Sequence, residues 1–248
     1  MELKDFFKNN NKAAVAFSGG IDSSFLLYEA KKYGADITAY FVNSAFQPEF
    51  ELNNALDFSR KYNIPLKIVD FDVLSCNDVI QNNCERCYYC KKRIFSLIKS
   101  ATEKDGYTLL IDGTNASDKE TDRPGMAALK ELGVVSPLKE CGITKEEILL
   151  RSKEEDIICN NLFSYSCLAT RIPFGEHITK EKLEITEKAE KYLYTLGFRD
   201  FRVRTVNSNA KIQLKASQFE LILKKRYDVL NYLRQFYPSV CLDLEERK

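Results

Sequence analysis

A short polar segment near the start of the chain has the residue types of an anion-binding site. An apolar run at residues 14–17 leads into a serine and two glycines, and an aspartate and two further serines follow. Glycine lets the backbone turn with positive φ and approach a ligand closely. A helix that begins directly after such a turn directs its unpaired N–H groups and positive dipole end towards the turn. The pattern predicts a socket for phosphate or pyrophosphate, formed by Ser18, Gly19, Gly20, Asp22, Ser23 and Ser24.

The cysteines form a second group that could do chemistry. Cys84, Cys87 and Cys90 form a C-x2-C-x2-C run, and Cys167 lies far beyond it. Thiolates at this spacing can bind one metal centre, but a zinc site usually takes two such pairs. On a 4Fe-4S cluster, three thiolates would leave one iron open to sulfide or a substrate atom. A structural zinc site stays an alternative, and Cys84 is either a ligand or a bystander. We expect the remaining cysteines to be small buried residues: Cys76, Cys141, Cys159 and Cys241.

The elements that position the first group alternate between strand and helix over residues 1–155. The pattern predicts strands at 12–17, 36–43, 65–71, 107–112 and 133–138, and helices at 21–33, 47–62, 87–100 and 144–155. This alternation favours an α/β fold with a doubly wound parallel five-stranded sheet, whose ligands bind beyond the carboxyl ends of the strands. Asn43 ends one predicted strand and Gly113 follows another, so we expect them beside the nucleotide. A simple turn role fits Asn43 equally well.

The pattern changes after residue 160, where a stretch without clear periodicity begins. A helix at 179–196, a hairpin at 201–214, a helix at 219–237 and a strand at 240–244 follow it. We therefore predict a nucleotide-binding domain at 1–160, a linker at 161–178 that contributes to the active site, and a smaller α+β domain at 179–248.

Composition and charge narrow the class of protein. The 248 residues carry a formal net charge of +1, so no overall field attracts nucleic acid or a membrane. No run approaches the ~20 apolar residues of a membrane span, and the acidic N-terminus is unlike a signal peptide. The single histidine argues against His-based acid–base chemistry. We expect a cytoplasmic protein that acts on small molecules.

Several motifs together resemble one known family. The segment 18–24 is similar to the SGG-x-DS-S signature of PP-loop ATP pyrophosphatases, which have an adenine nucleotide alpha hydrolase-like fold. The chain further resembles the LarE family, the ATP-dependent sulfur transferases of nickel-pincer nucleotide cofactor biosynthesis. This likeness rests on residues 18–24, 86–91, 122–125, 167–175 and 202–204. Thr170 stands where serine is commoner in the family.

The resemblance implies a reaction and a set of ligands. The loop would hold the pyrophosphate portion of ATP, with Asp22 near Mg²⁺, and a carboxylate of pyridinium-3,5-biscarboxylic acid mononucleotide would be adenylylated. Arginine side chains suit phosphate oxygens, and alternate strand residues share one face. The resemblance assigns the substrate phosphate to Thr170, Arg171, Arg202 and Arg204, although a solvated strand edge is the alternative for the last two. The same resemblance places Asp118, Asp122, Arg123 and Glu190 in the cleft, where Glu190 would orient an arginine. A loop cap is the alternative for the residues after the fourth strand.

The resemblance allows two sources for the transferred sulfur. The three-cysteine pattern implies a 4Fe-4S cluster on Cys87, Cys90 and Cys167, fed by sulfide or another sulfur donor. The alternative is a sacrificial Cys167 that becomes dehydroalanine. Lys91 would neutralise a phosphate or carboxylate, or else be a solvated helix residue. The resemblance also implies a homo-oligomer. A tRNA thiolase of the same superfamily and a non-catalytic metal or redox sensor remain as further alternatives.

Overall fold

A computed structural model describes residues 1–118, 124–157 and 165–247 of the chain. Contacts divide the chain into two compact units. Unit 1 comprises Met1–Val73 and Glu85–Ser164, and unit 2 comprises Leu74–Cys84 and Tyr165–Lys248. The segment Leu74–Cys84 therefore groups with unit 2, although it lies within the sequence range predicted for the nucleotide-binding domain.

Unit 1 contains a parallel sheet of four strands in the order β3-β2-β1-β4. The strands are β1 (Lys12–Ala16), β2 (Asp36–Asn43), β3 (Leu66–Asp70) and β4 (Leu110–Asp112). β1 pairs in parallel with both β2 and β4, and β2 pairs in parallel with β3. The predicted α/β fold with a parallel sheet is confirmed.

The predicted fifth strand at 133–138 is wrong. Only Val135 pairs with the sheet, in a single parallel bridge to Ile111. Its amide donates to Leu110 O and its carbonyl accepts from Asp112 N, both at 3.0 Å. The ladder stops there because Pro137, two residues on, has no N–H to donate and begins a helix instead. The sheet therefore has four strands and one bridge.

Helices cover both faces of this sheet. Within the described residues, the α-helices are, in order, α1 (Leu3–Asn9), α2 (Ile21–Lys32), α3 (Glu49–Tyr62), α4 (Asn77–Ile80), α5 (Arg86–Lys104), α6 (Pro124–Glu131), α7 (Pro137–Glu140), α8 (Lys145–Glu154), α9 (Lys180–Thr195), α10 (Phe219–Lys224) and α11 (Arg226–Leu233). Ala13 and Val15 of β1 join one buried cluster with α1, α2, α3 and α8. Ala14 joins a second cluster with α5 and α6. Successive strand residues point to opposite faces, so this division shows a doubly wound sheet.

Unit 2 is built on a three-stranded sheet in the order β5-β6-β7. The strands are β5 (Arg202–Val206), β6 (Asn209–Gln213) and β7 (Val240–Leu242). β5 and β6 form an antiparallel hairpin, while β7 pairs in parallel with β6. The turn residues Asn207 and Ser208 both have positive φ, as the right-handed twist of a two-residue hairpin requires.

The helix predicted at 219–237 is divided in two. α10 ends at Lys224, the φ of −96° and ψ of 9° at Lys225 leave the helical region, and α11 begins at Arg226. Ile222, Val229 and Leu233 on these helices pack in the core of unit 2. Within the described residues, no helix combines the length and apolar character needed to cross a membrane.

Candidate active site

The predicted anion socket forms between β1 and α2. Gly19 has a φ of +74°, and α2 begins at Ile21 with Gly20 at its N-cap. The Ser23 hydroxyl donates to Gly20 O at 3.1 Å, and Ser18 N donates to the same hydroxyl at 3.3 Å. Strand, tight turn and helix thus follow one another as predicted. The N-terminus of this three-turn helix and the hydroxyls around it suit a pyrophosphate group.

Two glycines are required here by close packing of the backbone. A Cβ on Gly113, just after β4, would lie 2.7 Å from Ser23 N and 2.9 Å from Ser23 Cα. A Cβ on Gly19 would lie 3.0 Å from the carbonyl oxygen of Glu51 in α3. The loop after β4 and helix α3 therefore touch the socket backbone directly. For Gly113, the structure shows this packing role, and contact with ATP stays a prediction.

Lys145 is a residue of this site that sequence reasoning missed. Its Nζ lies 2.6 Å from Asp22 Oδ1, and both side chains are about one-third exposed. Lys145 is the first residue of α8, and the preceding Thr144 caps this helix in a reciprocal pair with Glu147. Lys145 N also donates to Ser117 Oγ at 3.0 Å, which joins α8 to the loop after β4. The start of α8 therefore brings a cation to the aspartate of the socket.

The loop after β4 is held by short polar contacts. The buried Asp112 carboxylate accepts the hydroxyls of Thr114 at 2.5 Å and Ser136 at 2.6 Å. Asp118 Oδ2 accepts from Asn115 N at 3.1 Å, which is the geometry of a loop cap. The sequence prediction placed Asp118 in the cleft, and that role stays a prediction. Two further predicted cleft residues, Asp122 and Arg123, lie outside the described residues.

Asn43 ends β2, as predicted. Its side-chain amide donates to Asp70 Oδ1 at 2.9 Å, which joins the carboxyl ends of β2 and β3. The side chain is half-buried. The contact gives Asn43 a structural role at the strand ends, and both the turn role and a contact with ATP remain predictions.

Two of the predicted metal ligands, Cys87 and Cys90, lie in the first two turns of α5 in unit 1. Cys87 and Cys90 are three residues apart on this helix, which puts them on one face, and both are partly exposed. In unit 2, Cys84 is exposed and Cys167 is partly exposed at the start of a 3₁₀ turn. Within residues 1–118, 124–157 and 165–247, no group of three or more His, Cys, Asp or Glu residues could hold a metal ion. A 4Fe-4S cluster on Cys87, Cys90 and Cys167 stays a prediction.

Two of the other cysteines differ from the prediction that they are buried. Cys76 is buried, but Cys141 is partly exposed and Cys241 is exposed. Cys241 lies on β7, an edge strand of the sheet of unit 2. Cys159 lies outside the described residues.

Lys91, the residue after Cys90, packs against helix α6. A Cβ on Gly125 would lie only 2.4 Å from Lys91 Cδ. Gly125 therefore leaves the room that the aliphatic part of this lysine occupies. The lysine is partly buried rather than fully solvated.

In unit 2, one carboxylate, that of Glu190, pairs with Arg171 and acts through its charge on Arg202 and Arg204. We call Arg171, Arg202 and Arg204 the arginine cluster. Arg171 bonds Glu190 through two nitrogens, both at 2.9 Å. The ring of Tyr165 lies under two guanidinium groups, 4.4 Å from that of Arg171 and 5.0 Å from that of Arg202. Because three cations share one anion, the arginine cluster suits a bound anion.

Arg171, a predicted ligand of the substrate phosphate, lies buried in unit 2, and its phosphate-binding role stays a prediction. We expected it to bind a substrate phosphate, but its side chain is 0% exposed and paired with Glu190. Its third nitrogen donates to Ser166, Cys167 and Thr170. With every guanidinium nitrogen turned towards protein acceptors, Arg171 is part of the interior of unit 2.

The other two arginines carry perturbed pKa values. Burial, and next the charge of Arg171, lower the pKa of Arg202 to about 10, while Glu190 acts in the opposite direction. Burial and Arg171 also lower the pKa of Arg204. Both groups remain charged at neutral pH, and an added anion would relieve their mutual repulsion.

Arg204 also contacts the turn that carries Cys167. Its Nη1 donates to Thr170 O, and its Nε donates to Gln213 Oε1 at 2.6 Å. Gln213 in turn donates to Asp243 Oδ2 at 2.8 Å. These contacts hold the guanidinium of Arg204 between Gln213 on β6 and the turn that carries Cys167.

The fold and socket together define a class of protein. A parallel α/β sheet with an SGG-x-DS-S loop between β1 and α2 is the arrangement of PP-loop ATP pyrophosphatases, which use ATP. Residues 12–82 match the family described as queuosine biosynthesis protein QueC.

Comparison with curated proteins narrows the class to a family. The chain is 35% identical over 246 residues to an uncharacterized protein of Methanocaldococcus jannaschii, covering 98% of this chain and 93% of that protein. It is 34% identical over 253 residues to an uncharacterized protein of Synechocystis, covering 98% and 92%. It is 31% identical over 209 residues to the pyridinium-3,5-bisthiocarboxylic acid mononucleotide synthase of Lactiplantibacillus plantarum, covering 84% and 76%. The chain belongs to this synthase family, the LarE family.

Proposed function

We propose that this protein is an ATP-dependent sulfur transferase acting on pyridinium-3,5-biscarboxylic acid mononucleotide. It adenylylates one carboxylate of this substrate, releases pyrophosphate and replaces the activated oxygen with sulfur. The observation that carries the proposal is the pairing, in one chain, of a pyrophosphate socket with an arginine cluster that contacts the turn of Cys167. The socket serves the activation of the carboxylate by ATP, and the arginine cluster serves the binding of the acceptor.

Activation is needed because a carboxylate is a poor electrophile. A carboxylate oxygen attacks the α-phosphorus of ATP, and the bond from that phosphorus to the bridging α–β oxygen breaks. The leaving pyrophosphate carries the electron pair, and the socket from Ser18 to Ser24 stabilises its charge. The product is an acyl-adenylate, from which AMP can later leave.

Asp22 and Lys145 are the charged groups we assign to this step. A carboxylate oxygen is the ligand type that Mg²⁺ prefers, so Asp22 would hold the ion, which would neutralise phosphate charge. Lys145 is paired with Asp22 in this structure. With Asp22 bound to the ion, Lys145 would face the phosphate oxygens. We keep Asn43 and Gly113 as proposed contacts of the nucleotide.

The acceptor is held by its phosphate group. We assign that phosphate to Arg202, Arg204 and Thr170, because Arg171 is occupied inside unit 2. Lys91 is the proposed cation for the reacting carboxylate. The cleft roles of Asp118, Asp122 and Arg123 rest on the resemblance alone.

Sulfur transfer has two proposed routes. In the first, the thiolate of Cys167 attacks the acyl carbon and AMP leaves. Loss of the Cα proton then breaks the Cβ–S bond, which leaves the thiocarboxylate product and dehydroalanine at position 167. In the second, Cys87, Cys90 and Cys167 hold a 4Fe-4S cluster that supplies sulfur, a route favoured by the three-cysteine pattern. Since the described residues show no such ligand group, we assign no step to it.

The test combines one kinetic measurement with two analyses. Purified protein with ATP, Mg²⁺ and the pyridinium substrate should release pyrophosphate and form a thiocarboxylate. Pyrophosphate release that ignores the pyridinium substrate would refute the proposed acceptor. Iron and sulfide analysis of anaerobic protein, and the protein mass after turnover, then separate the routes, because dehydroalanine formation removes about 34 Da.

A further inference from the structure

A buried ion pair in unit 2 joins the segment that carries Cys167 to the helix α9. Arg171 Nε donates to Glu190 Oε1, and Nη2 donates to Oε2, both at 2.9 Å. The two side chains are 0% and 5% exposed. A two-pronged pair of this kind sets orientation as well as distance. The ion pair therefore links the segment of Cys167 rigidly to α9, and we call it the joint.

The third nitrogen of Arg171 holds the turn that begins at Cys167. Nη1 donates to the Cys167 carbonyl oxygen at 3.1 Å and to the hydroxyls of Ser166 and Thr170 at 2.9 Å. The same carbonyl accepts Thr170 N at 3.0 Å and the Thr170 hydroxyl at 2.8 Å. Three donors on one carbonyl leave the backbone of Cys167 little freedom.

Glu190 extends the joint to the phosphate-binding strand. Its Oε1 also accepts Val203 N at 2.9 Å, and Val203 lies between Arg202 and Arg204 on β5. Its Oε2 also accepts the hydroxyl of Tyr165, at the start of the Cys167 segment. One carboxylate thus contacts the strand of the phosphate ligands and both ends of the segment 165–171.

We propose that Arg171 and Glu190 are positioning residues that hold the thiol of Cys167 at a fixed place relative to Arg202 and Arg204. The catalytic consequence rests on the proposed function, in which these arginines bind one end of the acceptor and the thiol serves the other. A misplacement of about 1 Å at a reacting group costs about 100-fold in rate. The joint therefore contributes to the rate of sulfur transfer and little to substrate affinity.

The test uses the cysteines of unit 2 as reporters in the folded full-length protein. Glu190→Gln keeps the shape of the side chain and removes its charge, and Glu184→Gln, an exposed carboxylate on the same helix, is the matched control. Iodoacetamide labelling is read by peptide mass spectrometry. Cys167 reports the turn, the buried Cys76 reports opening of the whole unit, and the exposed Cys241 is the reference.

We expect Glu190→Gln to raise the labelling rate of Cys167 at least fivefold over that of Cys241, with Cys76 still protected. The Glu184→Gln control should match wild type. An unchanged Cys167 rate would overturn the proposal. An equal rise at Cys76 would also overturn it, because the pair would then support the unit as a whole.

Arg171→Lys is the second variant, because it keeps the positive charge and loses the paired hydrogen bonds of the guanidinium to Glu190. It also tests the proposal if Glu190→Gln does not fold. Its sulfur-transfer kcat should fall at least tenfold, with the KM for the acceptor within threefold of wild type. A raised KM with unchanged kcat would make Arg171 a phosphate ligand and refute the positioning role. If wild-type protein transfers no sulfur, the proposed function fails, while the labelling result still decides the positioning.

Discussion

Gly113→Ala tests whether the loop after β4 sets the shape of the pyrophosphate socket. The added Cβ would lie 2.7 Å from Ser23 N and 2.9 Å from Ser23 Cα, both backbone atoms at the start of α2. Ordinary contact begins near 3.4 Å, so one of the two segments must move by about 0.7 Å or more. Neither atom belongs to a flexible side chain that could rotate away. The displacement therefore falls on the backbone that would bind pyrophosphate.

Both stability and activity should respond. Overpacking of this kind costs about 1–3 kcal/mol in the free energy of unfolding. A socket displaced by most of an ångström should lose about 100-fold in kcat/KM for ATP. Urea titration measures the first quantity, and pyrophosphate release at limiting ATP measures the second.

The matched control is Gly106→Ala. Gly106 has a φ of +77° and open space around its missing Cβ, and it precedes β4 at the opposite end of that strand. Alanine in this conformation costs about 1–2 kcal/mol, close to the cost expected at position 113. Equal loss of stability with wild-type kcat/KM in Gly106→Ala would isolate the socket effect. The reasoning is refuted if Gly113→Ala keeps kcat/KM for ATP within threefold of wild type.

Further expected outcomes concern charge and capping. Lys145→Gln should raise the KM for ATP about tenfold because the cation beside Asp22 is lost, and Lys145→Arg should retain most of the affinity in the same pyrophosphate assay. Thr144→Ala removes the capping box of α8 and should lower the free energy of unfolding by about 1 kcal/mol in urea titration. Arg204→Gln should raise the KM for the acceptor about tenfold and leave the KM for ATP unchanged. Because the pKa of Arg202 is lowered to about 10, calorimetric affinity for inorganic phosphate should fall as pH rises through that value and the guanidinium loses its proton. A pH-independent affinity would contradict this assignment.

Local sequence patterns were enough to predict the alternation of strands and helices and the pyrophosphate socket. Residues 14–24 act together because they are consecutive, and a strand, a glycine turn and a helix form from short-range preferences. The fifth strand failed for a reason that was also local, since Pro137 ends the ladder after the single bridge at Val135. The division of the last long helix at Lys225 has no signal of proline or glycine in the sequence.

Partners distant in sequence could not be predicted in this way. Lys145 is 123 residues from Asp22, and its Lys-Glu-Glu context is typical of a solvated helix start. One signal was available. In a parallel α/β sheet the helices begin at the carboxyl edge, so the first residue of α8 had to lie at the same edge as the socket. A positive residue at that position is a candidate phosphate ligand on topology alone.

Residue type alone does not distinguish the roles of the three arginines in the arginine cluster. Arg171, Arg202 and Arg204 carry the same charge and fork, so the sequence treats them alike as phosphate ligands. Their roles separate through pairing, because Glu190 lies 19 residues beyond Arg171 and bonds it through two nitrogens. An arginine that is neutralised by a buried carboxylate binds phosphate weakly. The same carboxylate acts only indirectly on Arg202 and Arg204. The excess positive charge therefore resides on β5, and Arg171 contributes order instead of affinity.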